Sequence, residues 1–340
     1  MSNLTCIPTT SYYGTPEFLS RTVHMITAVS FPIHILGLFI IFFKTPKTMD
    51  SVKWYILHLH VWIMIYDNSL GFLTIPFLLF PRLSGYTLGF LSYFGVNEFF
   101  MAVLVLLAVI NVLLSNLSIF ENRYFIICAF PPKPTWEKIR KPWLAAHYIF
   151  AVILFIPMAF SLPDQEKTKQ KVLETLPCVS DYVHQAKIFT LAEDYTYTVG
   201  VLSTLLAFGL MEATIFCTHL EVYIIKNLKS KRISKTTLKL QIKFLVALVI
   251  QMVVPSLMLV IPLAYSAVVI IYEYYNQAYM NVVIVITTTH GLFSTLIMIF
   301  VHQPYRMALV RMFCSKFSRK DRIESDSRFQ PNGAAFTVAT

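Results

Sequence analysis

Charge is what this chain has least of. Only 14% of its 340 residues are Asp, Glu, Lys or Arg, while 56% are hydrophobic. Soluble domains carry roughly a quarter charged residues, so a surface that faces water all round is excluded. Cysteine is scarce too, and its five copies form no short-range pair that would suggest a zinc or redox framework. The N-terminus has no basic n-region, and the apolar run from Thr22 is long enough to stay in the bilayer, so no cleavable signal peptide is expected. No His-x-x-x-His or His-Glu pair offers zinc ligands, and His58 and His60 point to opposite sides of a helix. No nucleophile is paired with a base in a readable motif. An enzyme is therefore not expected, nor a metal or other cofactor.

What is present is long and uncharged. A helix rises about 1.5 Å per residue, so about 20 apolar residues cross the roughly 30 Å hydrocarbon core. Seven stretches reach that length, 22–43, 54–80, 96–120, 142–162, 196–225, 244–272 and 279–301, and none holds a Lys or Arg. Backbone groups find no water in lipid, so each must be helical. The expected fold class is an all-α membrane protein, a bundle of seven transmembrane helices.

The loops orient the bundle. Segments on the side of the C-terminus, 44–53, 121–141, 226–243 and 302–340, hold three, five, seven and seven Lys and Arg, twenty-two in all, against six on the other side. That bias places the C-terminal side in the cytoplasm and, with seven crossings, the N-terminus outside. Trp54, Tyr55, Trp143, Tyr195, Tyr197, Tyr272, Tyr274 and Tyr275 lie where an interfacial aromatic belt is expected. The net charge of +10 is thus a topology signal that points to the lipid bilayer, and no nucleic-acid partner is expected.

Two features follow from that orientation. Asn3-Leu4-Thr5 is an N-glycosylation acceptor on the outer side. Cys6 and Cys178 alone fall on the oxidising side, as a disulfide over the second outer loop or as two free thiols. A bridge from the top of the third helix is excluded, because Ser92 to Met101 contains no Cys.

The ordered motifs resemble serpentine receptor class H, a nematode chemoreceptor family of the seven-helix G-protein-coupled type. They are His24 and Pro32, Lys44-Thr45-Pro46-Lys47-Thr48-Met49, Val52-Lys53-Trp54, His60 and Asp67, and Pro76 and Pro81. Further on come Glu121-Asn122-Arg123-Tyr124, Leu176-Pro177-Cys178 and His302-Gln303-Pro304-Tyr305-Arg306, so the match covers about 6–313. The resemblance implies a plasma-membrane receptor of chemosensory neurons, in sensory cilia, that reports small external molecules through heterotrimeric G proteins. Likeness to rhodopsin-like receptors is looser: Glu121-Asn122-Arg123-Tyr124 resembles their acidic-Arg-Tyr motif with one residue inserted, and Pro255 and Pro262 lack the Cys-Trp-x-Pro setting.

A carboxylate inside a span is costly enough to demand a partner or a wet cavity. Asp67 is the leading case, with Asn111 and Ser294 at comparable depth. The three form either a polar switch core, hydrated or holding sodium, or a quiet site in which a protonated Asp67 is satisfied by its neighbours. Glu98 lies near the outer mouth, where it meets a ligand amine or simply reaches water. His290, after Thr287, lines a ligand pocket or acts as a structural hydrogen-bonder. Glu212 has no partner visible in the sequence. On the inner side the resemblance implies G-protein contact by Arg123 and Tyr124, with Glu121 as the resting partner of Arg123, and by the basic loop around Lys229, Lys231 and Arg232. Contact of these cations with lipid headgroups alone is the alternative.

The chain divides into an outer N-terminus (1–21), the seven-span domain (22–303), an amphipathic membrane-surface helix (304–317) and a polar tail (318–340) expected to be disordered. Cys314 is either palmitoylated or a free thiol. A channel or small-solute transporter is the competing class, disfavoured by the odd number of spans and the lack of a duplicated motif. A retinal protein is excluded, since 279–301 has no Lys for a Schiff base.

Overall fold

A computed structural model describes residues 11–128, 133–176, 179–229 and 235–312. Asn3, Cys6, Cys178, Lys231, Arg232, Cys314 and the tail lie outside the described residues. Seven helices make the bundle: α1 (Pro16–Lys44), α2 (Asp50–Asn68), α3 (Glu98–Ile127), α4 (Lys133–Ile153), α5 (Thr196–Lys229), α6 (Lys235–Ile271) and α7. The last is in two pieces, Gln277–Thr288 and His290–Val301. All but α2 contain a stretch long and apolar enough to cross a membrane by that measure alone. The shortfall of α2 has a chemical cause, since His58, His60 and Asp67 dilute its apolar residues.

Local chemistry sets where these helices begin. Thr15 caps α1, its Oγ1 accepting from the Phe18 N–H at 3.1 Å, and Pro16 follows at the first position. Asn97 and Asn276 cap α3 and α7 in the same way. Several ends differ from the spans read in the sequence. The second was expected to run 54–80, but α2 widens into a π-helical turn over Ser69–Thr74 and stops. Ile75 then takes a left-handed φ of 39°, and Pro76, which has no N–H for a helix, opens a strand instead. The inner loop read as 121–141 is mostly helix, because α3 runs to Ile127 and α4 starts at Lys133. Charged residues end a membrane span without ending a helix.

At the end of the bundle away from the basic loops lies a three-stranded antiparallel sheet that the sequence did not suggest. It consists of β1 (Pro76–Leu78), β2 (Leu83–Thr87) and β3 (Phe189–Ala192), in that order, with Phe77 opposite Tyr86 and an irregularity between Leu83 and Ser84. Ser84 and Thr190 join their hydroxyls across it at 2.8 Å. The short helices Gln165–Thr175 and Asp181–Gln185 pack behind it, with Leu19, Val23, Phe77, Val172 and Val183 forming one buried cluster. A second cluster, of Ile40, Ile56, Ile63, Val112, Met298 and Tyr305, fills the opposite half of the bundle. A last helix, α8, covers 303–312.

Candidate functional site

Beneath the sheet is a cavity of about 330 Å³ among α2, α3, α5, α6, α7 and all three strands. Its walls are mainly apolar, with Met101, Val105, Leu202, Leu259 and Ile284 among them. Glu98 and Thr287, both read as ligand candidates, line it, and His290 does not. Glu98 is 18% exposed and pairs with Lys187, which is 79% exposed, at 2.7 Å. It is the one carboxylate in the wall among the described residues, and its charge is already matched. Thr287 turns its hydroxyl back to the Val283 carbonyl at 2.7 Å.

Tyr66 forms part of the cavity wall and meets the His290 ring edge to face, with centroids 5.7 Å apart. Below it is a polar core whose membership the sequence revealed only in part. Asp67 sits there, 5% exposed, but its partners are His34 of α1 and the backbone of α7. The His34 Nε2 lies 3.0 Å from Asp67 Oδ2, and the Gly291 N–H donates to Oδ1 at 3.2 Å. His34 Nδ1 meets Thr295 Oγ1 at 2.9 Å, and His60 Nε2 donates to the His34 carbonyl at 2.9 Å. The break in α7 explains the Gly291 contact. A helix restarting at His290 has free N–H groups in its first turn, and a carboxylate from a neighbouring helix is well placed to accept one. Gly291 has no room for a side chain, since a Cβ there would overlap the Asp67 carboxyl.

Asn111 and Ser294 are buried nearby but do not complete this core as expected. Asn111 donates instead to the Leu107 carbonyl of its own helix at 2.7 Å, and Ser294 lies one turn beyond His290 in the lower piece of α7. His34, His60, Gly291 and Thr295 were missed. Their joint role depends on three helices meeting, which no spacing within one helix encodes.

The basic end holds a second charged cluster. Glu121 was expected to pair with Arg123, but Arg140 of α4 takes its Oε2 at 2.7 Å and the Trp136 indole N–H donates to its Oε1 at 2.8 Å. Arg140 also reaches the Asn122 side-chain oxygen at 3.2 Å and lies over the Phe125 ring. The reason is helical geometry, since residues two apart on α3 face different ways. Arg123 turns inward and lies in electrostatic reach of Tyr305 and His302. His302 Nε2 is 2.7 Å from Gln251 Oε1 of α6. Tyr124 packs its ring against Phe216 and His219 of α5. Lys229 is the last residue of α5. Glu212 does have a partner, His147 of α4 at 3.0 Å.

Around the sheet, shifted acidities follow from packing. The Glu193 carboxyl is held below its ordinary value by hydrogen bonds from Lys171 and Thr168 and by the charge of Lys171. Burial pushes Tyr275 up to about 12 and raises Tyr86 as well. Among the described residues no group of three or more His, Cys, Asp or Glu could hold a metal ion.

Residues 14–315 match the family described as serpentine type 7TM GPCR chemoreceptor Srh. A relative from Caenorhabditis elegans, serpentine receptor class H-72, is 26% identical over 311 residues, covering 91% of this chain and 89% of that protein.

Proposed function

The chain belongs to the Srh family of serpentine seven-transmembrane chemoreceptors, and from that membership we propose a receptor that binds a small, uncharged and mostly apolar external molecule and activates a heterotrimeric G protein. The cavity under the sheet carries this reading. Its volume of about 330 Å³ falls at the lower end of the roughly 300–1,000 Å³ usual for small-molecule sites. Because Lys187 already neutralises Glu98, a cationic guest would have to displace an ion pair before gaining a contact. Ser, Thr and Tyr hydroxyls, those of Tyr86, Thr198, Ser203 and Ser266 among them, stand between the apolar residues of the lining and can orient such a guest.

In this reading the sheet and the N-terminus face outside at the plasma membrane of a chemosensory neuron, in its cilium. The basic loops face the G protein. Residues 22–303 form the receptor domain, 304–317 a membrane-surface helix and 318–340 the tail. Asn3 carries glycan, Cys6 and Cys178 form the disulfide, and Cys314 carries the lipid. A ligand can only favour the arrangement it binds better. In the active arrangement the Glu121–Arg140 cluster opens, and Arg123 turns from Tyr305 toward the partner, with Tyr124, Lys229, Lys231 and Arg232 around it. Asp67 and His34 hold the resting arrangement together. In this reading His34, rather than a bound cation, is the partner of the Asp67 carboxyl.

The test is a panel of neutral and charged odorants applied to cells expressing the chain with a promiscuous G protein, with calcium as the readout. Neutral apolar compounds should respond, and Ala267→Trp, which fills the cavity, should abolish the response at unchanged surface expression. Arg123→Ala should abolish signalling while ligand still binds. Ligand-gated current that persists with G proteins blocked would replace this reading with a channel.

A further inference from the structure

At the basic end a groove of about 430 Å³ runs between the end of α1 and α8. We propose that it holds an anionic phospholipid of the adjacent leaflet. Lipid binding there requires neither a guest in the cavity nor a G protein.

The groove has two kinds of wall. Pro46, Pro304, Met307 and Met312 supply an apolar trough, and Lys44 and Arg311 stand in its lining with no carboxylate among the described lining residues. Cations beside an apolar slot match an amphiphile with a negative head and a hydrocarbon body. The location matches too. Lys44 is the last residue of α1, where the membrane-crossing stretch ends. Phe43, next to it, is 65% exposed, as a ring facing acyl chains would be. An amphipathic helix resting at the interface, as α8 does in the proposed arrangement, has its apolar side at the depth of the upper acyl carbons. A soluble peptide would leave that hydrocarbon surface uncovered, whereas a lipid continues it.

The groove is also held open. Tyr305 of α8 is fully buried, and its hydroxyl lies 3.1 Å from Thr45 Oγ1. Thr45 in turn donates to the Ile41 carbonyl at 2.5 Å. Arg306 ties α8 to the end of α7 by donating to the Phe300 carbonyl at 3.0 Å. These bonds set the spacing of the two walls without using either lining cation. Preorganisation of that kind is what separates a lipid site from general attraction to an anionic surface.

The full chain, purified in detergent, would be titrated with phosphatidylserine or with phosphatidylcholine of the same acyl chains, and retained lipid counted by native mass spectrometry. One phosphatidylserine per chain should be retained in preference to phosphatidylcholine. Each lining cation should contribute about 5-fold to its affinity, so K44Q with R311Q should weaken it about 25-fold. Met307→Trp, which fills the trough and leaves the charges in place, should displace the lipid as well. Lys138→Gln, a basic residue of the same end outside the groove, should change nothing. Equal retention of the two lipids, or an unweakened double variant that melts like the parent, would overturn the proposal. Competition by inorganic phosphate alone at millimolar concentration would overturn it too, since it would show a plain anion site.

Discussion

The bundle has a bound side and a loose side. On the bound side α1, α2 and α7 meet through buried polar bonds, with His34, Asp67, Gly291 and Thr295 linked within one cluster. On the loose side, among the described residues, α4 and α5 share one side-chain polar pair, His147–Glu212, between groups that each keep some exposure, beside ring contacts such as Trp143 with Phe216. Packing differs in the same sense. In the most apolar stretch of α7, 44% of residues are buried inside the protein, whereas in α5 only 11% are. Ordinary apolar packing gives little drive in lipid, because the tails are as apolar as the side chains. Polar contacts therefore weigh heavily in which helices hold station, and the deeply buried ones lie between α1, α2 and α7.

The sharpest way to break that comparison is His34→Ala. It strands a buried carboxyl, so it should cost about 3–5 kcal/mol, read as a large fall in the melting temperature of purified receptor. A loss no greater than that of a change on the loose side would erase the distinction. Gly291→Ala should cost about 1–3 kcal/mol by overpacking, because its methyl group collides with the Asp67 carboxyl. A Gly291→Ala chain as stable as the parent would mean that α7 slides easily past α2. On the loose side, Glu212→Gln keeps a hydrogen-bonding side chain and should cost about 1 kcal/mol. A cost comparable with that of His34→Ala would make α4 and α5 a second anchored pair.

The smallest effect expected concerns the sheet. Glu193 has a folded value below the ordinary 4.5. Its contribution is therefore complete above 4.5 and is lost as pH falls through the folded value. Hydrogen exchange of Phe189–Ala192 should stay flat from pH 7 to 5 and quicken only below about pH 4.5, once the intrinsic exchange rate is corrected for. Lys171→Met should shrink that quickening without moving its onset, because it brings the folded value back toward the ordinary one. Loosening already at pH 6 would point to a different group.

The seven crossings were legible because lipid imposes one requirement, a long run without charge, and that requirement is written residue by residue. Helix ends were less so. Residues 121–127 and 133–141 are helical beyond the apolar runs, since hydropathy marks the bilayer and not the hydrogen-bond ladder. At the other end, Phe77 and Leu79 look like more span. Only Pro76 hinted otherwise, and prolines inside α1, α4 and α6 are accommodated. Of the polar core, Asp67 stood out by its cost in lipid. Its partner His34 is 33 positions away on another helix and carries no charge signal of its own. Glu98 was identified by depth alone, and Lys187, which neutralises it, belongs to a loop whose path no periodicity describes.

The break at Thr289 makes the seventh helix a pair of levers joined at a hinge. Each piece has twelve residues, an arm of about 18 Å. A turn of about 5° at the hinge swings the far end of such an arm by about 1.5 Å. The upper arm carries Thr287 at the cavity wall and the lower arm ends beside His302. The pin of the hinge is the Gly291 N–H gripped by Asp67. A straight rod would force both ends to tilt together, but this linkage lets two arms of equal length swing separately.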